Sequence, residues 1–231
     1  MKICGLVKVS LLDYPNLIAG TIFTRGCNFS CPYCQNAGLV IPSLYDPLID
    51  TNEVLKYFKA RANVLDGVVV SGGEPTLQPD LIPFIKELKS YGLKVKLDTN
   101  GFNLLVIKEL VESKLVDYIA IDIKNSLAKY SLTTNTKNLD TSKLIETIEY
   151  LKTTKLDYEY RTTFVDEYHT IDDCKEIANL IKGVPHYYLQ NYRDSKNTIT
   201  KGLHPCSKEK LLSFQKVFLD LGIDAELRGI E

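Results

Sequence analysis

Leu17-Ile18-Ala19-Gly20-Thr21-Ile22-Phe23-Thr24, closed by Arg25-Gly26 and followed at once by Cys27-Asn28-Phe29-Ser30-Cys31-Pro32-Tyr33-Cys34, decides how the rest of the chain is read. The first eight residues form a short apolar and β-branched run that ends at a glycine, which is the signature of a strand. The cysteines come directly after it. Working outward, residues 52–64 carry Val54, Leu55, Phe58 and Ala62 at the spacing of one helical face. Gly67-Val68-Val69-Val70-Ser71 reads as a buried strand ending at Gly72-Gly73. A helix over 80–91 (Leu81, Phe84, Ile85, Leu88) stops at Gly92, and a strand over 94–97 follows. The alternation continues with a helix at 104–112, a strand at 118–123, and a helix through Leu144, Ile145, Ile148 and Leu151 capped by Thr141 or Ser142. Next come a strand at 158–165, a helix at 171–181, a strand at 186–189, a helix at 208–221 and a short tail strand at 225–228.

Strands alternating with helices imply an α/β fold with a parallel sheet. About six β-α units are too few for a closed eight-stranded barrel, so the expected architecture is a partial (β/α)6 barrel of parallel strands. No linker-like stretch divides the 231 residues, and the chain reads as one domain, 1–231. In that reading 1–16 is an N-terminal segment, 17–190 the core units, and 191–231 a C-terminal loop, helix and tail strand. A chain of this length buries roughly 70% of its unfolded surface, so it needs no disulfide scaffold.

Composition removes several function classes. Lys+Arg 28 against Asp+Glu 29 gives a net charge of −1, which is no footprint for nucleic acid or an anionic membrane. No apolar stretch approaches the ~20 residues that span a bilayer. The N-terminus lacks the pattern of a signal peptide. Three of the six cysteines cluster and the rest (Cys4, Cys174, Cys206) are scattered, as in a reduced cytoplasmic protein rather than a disulfide-stapled one.

In chains of this architecture the chemistry sits at the C-terminal ends of the strands. There lie Cys27, Cys31 and Cys34, then Gly72-Gly73-Glu74, then Asp98-Thr99-Asn100, then Asp122 and Lys124. Cys-x3-Cys-x2-Cys places three thiols on one loop. A closed zinc site wants four ligands and no fourth Cys or His lies near. Cys31-Pro32-Tyr33-Cys34 alone has dithiol redox spacing, which leaves Cys27 idle. A [4Fe–4S] cluster held by three thiolates keeps one iron open, and the triplet favours it over the other two readings. Cys174 reads as a small hydrophobe on a helix face. His169, His186 and His204 show no constellation around them.

These residues carry a resemblance. Cys27-x3-Cys31-x2-Cys34 with Tyr33 before the last cysteine resembles the signature of the radical S-adenosylmethionine (SAM) superfamily, and Gly72-Gly73-Glu74-Pro75 resembles that family's second-strand motif. The stretches Ser10-Leu11-Leu12-Asp13-Tyr14-Pro15 and Phe23 through Asn36 are similar to the activating proteins of anaerobic ribonucleoside-triphosphate reductase. Asp98-Thr99-Asn100-Gly101 and Asp122-Ile123-Lys124 resemble motifs of glycyl-radical enzyme activases more widely, with Gln35 standing where many activases have His.

The resemblance implies a radical SAM core with a [4Fe–4S] cluster on Cys27, Cys31 and Cys34, and a SAM site that includes Tyr33, Gly72, Gly73 and Glu74. It assigns Lys124 and Arg161 to the SAM carboxylate and places Asn191, with its neighbours, beside the adenine. It implies a monovalent cation between Asp98, Thr99, the Ala120 carbonyl and Asp122, because two facing carboxylates repel unless a cation lies between them. The implied partners are a glycyl-radical enzyme, namely the reductase, and a reductant such as flavodoxin or ferredoxin. Two other functions stay open here: a small radical SAM enzyme acting on a purine-like or pterin-like molecule, and a zinc-stabilised binding module without catalysis.

Overall fold

The computed structural model describes residues 1–229. The chain divides into two compact units, Met1–Asn28 with Gly38–Ala120, and Phe29–Ala37 with the chain from Ile121 onward. In the first unit β1 (Ile3–Ser10) runs antiparallel to β2 (Ala19–Thr24). Then come a single helical turn, α1 (Ala37–Val40), and α2 (Thr51–Arg61), which starts where the Asp50 carboxylate accepts from the Asn52 and Glu53 amides. β3 (Gly67–Gly72), α3 (Leu81–Ser90), β4 (Lys94–Thr99) and α4 (Leu104–Glu112) complete the unit up to β5 (Tyr118–Asp122), inside which the division falls. β2, β3 and β4 pair in parallel, in register from Ala19 opposite Gly67 and from Gly67 opposite Lys94.

The second unit holds the remainder of β5, then α5 (Tyr130–Thr134), α6 (Ser142–Lys152), β6 (Asp157–Phe164), α7 (Ile171–Leu180), β7 (Tyr187–Asn191), α8 (Lys208–Asp220) and β8 (Ala225–Arg228). β6, β7 and β8 pair in parallel. Strand order follows chain order from β1 to β8, and the fold is α/β with a mostly parallel sheet, as the alternation predicts. No helix among the described residues is long and apolar enough to cross a membrane.

The helices bury the faces that periodicity marks. In α3, Leu81, Phe84, Ile85 and Leu88 are buried at i, i+3, i+4 and i+7, each worth roughly 1.5–3 kcal/mol of removed apolar surface. Val68, Val69 and Val70 of β3 are all buried, as expected of a parallel strand covered on both faces.

Three details go beyond the sequence reading. β1 is an antiparallel strand inside the stretch read only as an N-terminal segment. In α6 Leu144, Ile148 and Leu151 are buried as expected, but Ile145 is exposed and Thr147 is buried. Thr141 stands at the N-cap of α6, but its side chain makes no capping bond, and the Asp140 carboxylate accepts from the Ser142 amide.

Ser10-Leu11-Leu12-Asp13-Tyr14-Pro15 joins β1 to the N-terminal end of β2, opposite in strand direction to the cysteines. Ser10 Oγ accepts from the Leu12 and Asp13 amides at 3.2 Å, and Thr21 donates to Asp13 at 2.6 Å. Tyr14 is buried with Ala19 and Val69, and Leu17 and Tyr118 pack against that cluster. Held this way, the loop leaves Leu12 91% exposed.

Candidate functional site

In the first unit the ends of β2, β3 and β4 form one hydrogen-bonded assembly. Gly73 N–H donates to the Thr24 carbonyl and Glu74 N–H to the Gly26 carbonyl, both at 2.8 Å. A Cβ on Gly72 would come within 3.0 Å of the Thr24 backbone, and one on Gly73 within 3.0 Å of the Gly26 carbonyl. Gly72 also has φ +123°, which suits glycine. Gly72-Gly73 therefore lets one strand end rest on the backbone that leads into Cys27.

Glu74 is 1% exposed and its carboxylate is taken up by the protein. Oε1 accepts from the Thr76 amide (3.0 Å), the Thr76 hydroxyl (2.6 Å) and the Thr99 hydroxyl (2.7 Å), while Oε2 accepts from the Asn100 amide (2.7 Å). Burial pushes its pKa up, against the pull of those bonds. Asn100 then donates through Nδ2 to Asn28 Oδ1 at 2.7 Å, beside Cys27. Thr76 and Asn28 are thus members of the assembly that residue-type reasoning missed, whereas Asn100 was already marked at its strand end. The only sequence signal of the two was nearness to Glu74 and Cys27.

Asp98 is paired within its own unit. Lys96 Nζ, 2% exposed, donates to Oδ1 at 2.7 Å, and Ser71 Oγ donates to Oδ2 at 3.1 Å. Thr99 spends its hydroxyl proton on Glu74. Ala120 is buried in β5.

In the second unit Cys31 and Cys34 are joined by a turn, Cys34 N–H to Cys31 carbonyl at 2.9 Å. The segment is fastened on both flanks: Ser30 N–H donates to the Thr134 carbonyl, Ile199 N–H to that of Cys34, Thr200 N–H to that of Pro32, and Ala37 N–H to that of Asn197. Gln35 donates to the Arg193 carbonyl. Asp122 lies between two cations: Arg161 Nε donates to Oδ1, and Lys124 Nζ to Oδ2 at 3.0 Å. Burial pushes the Asp122 carboxyl up, but the Arg161 and Lys124 charges outweigh it and hold it well below the usual carboxylate range. The three side chains sum to +1. Asp98 is thus paired with Lys96 in the first unit, and Asp122 with Lys124 and Arg161 in the second.

Cys31 is 7% exposed, and burial raises its thiol to about 11, with Lys124 pulling the other way. A thiolate there needs a cationic centre bound to it. The ring of Tyr33 lies against that of Tyr168 with centroids 6.1 Å apart, and its buried hydroxyl finds no hydrogen-bond partner among the described residues.

Residues 21–181 match the radical SAM superfamily. The chain belongs to it. A protein of Methanocaldococcus jannaschii named as a glycyl-radical enzyme activating enzyme is 34% identical over 82% of this chain and 79% of its own length. The pyruvate formate-lyase-activating enzyme of Clostridium pasteurianum is 30% identical over 54% of this chain and 52% of its own. The crystal structure of a radical SAM methyltransferase from Sphaerobacter thermophilus covers 93% of this chain and 67% of that one with a TM-score of 0.74 at 17% identity, a likeness of fold.

Membership in the superfamily makes this chain an enzyme that uses a [4Fe–4S] cluster and SAM. The radical SAM residues present fit that pair on chemical grounds. Three soft thiols are available, the burial of Cys31 disfavours its thiolate until a metal compensates, a polar hydroxyl at Tyr33 is buried without a protein partner, and the Asp122 group carries a surplus positive charge suited to a carboxylate. The Asn191 side chain is engaged with backbone of the same unit. Its Oδ1 accepts from the Cys206 amide at 3.0 Å and its Nδ2 donates to the Cys206 carbonyl at 3.1 Å, so the amide fastens the approach to α8 to the end of β7.

Proposed function

We propose that this radical SAM enzyme activates a glycyl-radical enzyme, and that its partner is anaerobic ribonucleoside-triphosphate reductase. The observation that carries the chemistry is the Cys31–Cys34 turn within the field of the Asp122, Lys124 and Arg161 group, thiols beside a net positive charge in one unit. The 34% identity to a relative named for glycyl-radical activation supports the reaction, and the similarity of residues 10–36 to reductase activating proteins supports the partner.

Cys27, Cys31 and Cys34 would ligate the cluster. Lys124 and Arg161 would receive the SAM carboxylate, with Asp122 fixing the geometry of both cations by a shared ion pair. Tyr33 would border the adenine. The cluster and SAM together supply one-electron cleavage of the sulfonium and abstraction of a hydrogen atom, here from the Cα of a glycine in the partner. Glu74 acts at one remove, through the Asn100 and Asn28 bonds that set the start of the cysteine segment. The electron comes from a flavodoxin or ferredoxin.

The test is anaerobic: protein reconstituted with iron and sulfide, a reductant, SAM and the purified reductase, followed by EPR. A glycyl-radical doublet on the reductase, lost in Cys31→Ala and kept in Cys4→Ala, is expected. 5′-Deoxyadenosine formed with no radical on the reductase would overturn the partner. A colourless protein that keeps zinc and ignores SAM would overturn the chemistry.

A further inference from the structure

The peptide of Lys124 is gripped from both sides. Its N–H donates to the Tyr130 hydroxyl at 3.1 Å, and that hydroxyl lies 3.3 Å from the Asp122 carbonyl, to which it donates. Its carbonyl is 3.1 Å from Nε2 of His169. A carbonyl only accepts, so this bond requires the imidazole proton on Nε2. A neutral ring then has its lone pair on Nδ1, where the Val165 N–H arrives at 3.1 Å, nearer than the Val165 carbonyl at 3.3 Å.

His169 has no exposed surface, and its ring packs edge-on to Phe164 with centroids 4.9 Å apart. It stands near the end of the β6–α7 connection, just before the capping box in which Thr170 and Asp173 bond each other's backbone. The residues after Lys124 are held by the same surroundings. Asn125 donates to the Thr133 hydroxyl and the Tyr168 carbonyl, and Ser126 donates to Asp173. Lys124 lies two residues beyond the last residue of β5, just after the Ile123 N–H bonds the Arg161 carbonyl at 2.9 Å. The direction of its Cα–Cβ bond is therefore set by the Tyr130 and His169 contacts.

We propose that His169 is a positioning residue for the radical SAM reaction, and that its Nε2–H bond to the Lys124 carbonyl aims the Lys124 ammonium at the carboxylate of SAM. This rests on the reading above that Lys124 receives that carboxylate. A histidine suits the task because one rigid ring links two backbones, a donor on one edge and an acceptor on the other.

Two substitutions separate those edges. Gln presents an amide N–H near the place of Nε2 and keeps the donor to Lys124. Asn presents an oxygen near the place of Nδ1, keeps the acceptor for Val165, and falls short of Lys124. SAM dissociation constants are measured on cluster-loaded wild type, His169→Gln, His169→Asn, Tyr130→Phe, Lys124→Met and the His169→Asn/Lys124→Met double variant, with thermal unfolding of each.

His169→Gln should bind SAM within about twofold of wild type, and His169→Asn about tenfold more weakly, the loss of one buried hydrogen bond expressed in affinity. The double variant should bind no worse than Lys124→Met alone, since the two act through one contact. Tyr130→Phe, which releases the other side of the same peptide, should weaken binding in the same way and keeps the test available if His169→Asn does not fold. In the protein without its cluster, long-range ¹H–¹⁵N spectra should show His169 neutral and protonated on Nε2.

Wild-type affinity in His169→Asn, a loss that adds in full to that of Lys124→Met, or a proton on Nδ1 would overturn the proposal alone. Wild-type affinity in Lys124→Met would overturn the carboxylate reading and the proposal with it.

Discussion

A methyl group on Gly73 would meet the carbonyl of Gly26, part of the backbone that leads into Cys27. Backbone cannot swing aside as a long side chain does, so Gly73→Ala should cost more than about 2 kcal/mol of stability through overpacking. Thermal unfolding of the cluster-free variant measures it directly, and an unchanged midpoint would mean that the segment can shift. The Gly-Gly pair was legible in the sequence, but its physical reason was not. Read alone it opens space for a ligand, whereas in the folded chain it makes room for another strand end. The bonds of Asn191 and His169 were hidden from the sequence in a similar way. Their partners are backbone groups of Cys206, Lys124 and Val165, and no pattern of side chains announces a backbone partner. Cys27, Cys31 and Cys34 stood out by their spacing alone.

The same histidine governs how the β6–α7 connection responds to acid. Burial lowers the His169 pKa from 6.5 to about 4, with the carbonyls of Lys124 and Val165 pulling it up and Asp173 and Lys129 facing it with opposite charges. The folded state then binds fewer protons than the unfolded one between those values, so stability falls as pH drops from 6.5 to about 4, by about 3 kcal/mol in all. Above 6.5 the group is neutral in both states and its pH effect vanishes. Urea unfolding of wild type and His169→Gln at several pH values should show that acid slope in the former and lose it in the latter, on top of the changes from carboxylates common to both. A second expectation concerns the segment Phe29–Ala37. Its four backbone bonds to Thr134, Asn197, Ile199 and Thr200 owe nothing to metal, so stripping iron with a chelator should leave far-UV circular dichroism and cooperative unfolding nearly intact, unlike a zinc finger. Elements with a long apolar stripe, such as α3 and α4, were read with their bounds nearly right. β1 was missed because Ile-Cys-Gly-Leu-Val-Lys-Val-Ser neither alternates nor runs apolar, and α5 because five residues hold too little periodicity to register.

For the molecule as a whole, 28 basic against 29 acidic residues leave almost no net field. Encounter with a protein partner should then lack long-range steering, and the initial rate of radical installation should change by less than about twofold between roughly 50 and 300 mM salt. A steep fall would show that a local charged patch governs docking. The α/β class was legible from alternation, because each helix and strand carries its own period. The strand ends were legible as a site because unusual residues recur there. β1 has a further consequence. As the first strand in the order it has an outer edge, covered at Ile3 by Ile49 and at the Lys8 carbonyl by the Tyr57 hydroxyl, and its pairing to β2 slips between Ile3 and Gly5 and again between Val7 and Ser10. With Lys8 on that same exposed stretch, evenly spaced N–H and C=O groups run for only a few residues. Val7, Val9 and Leu12 stand in water nearby, so a straight edge here would be a template for stacking chain upon chain, and the two slips are what deny a growing fibre its first rung.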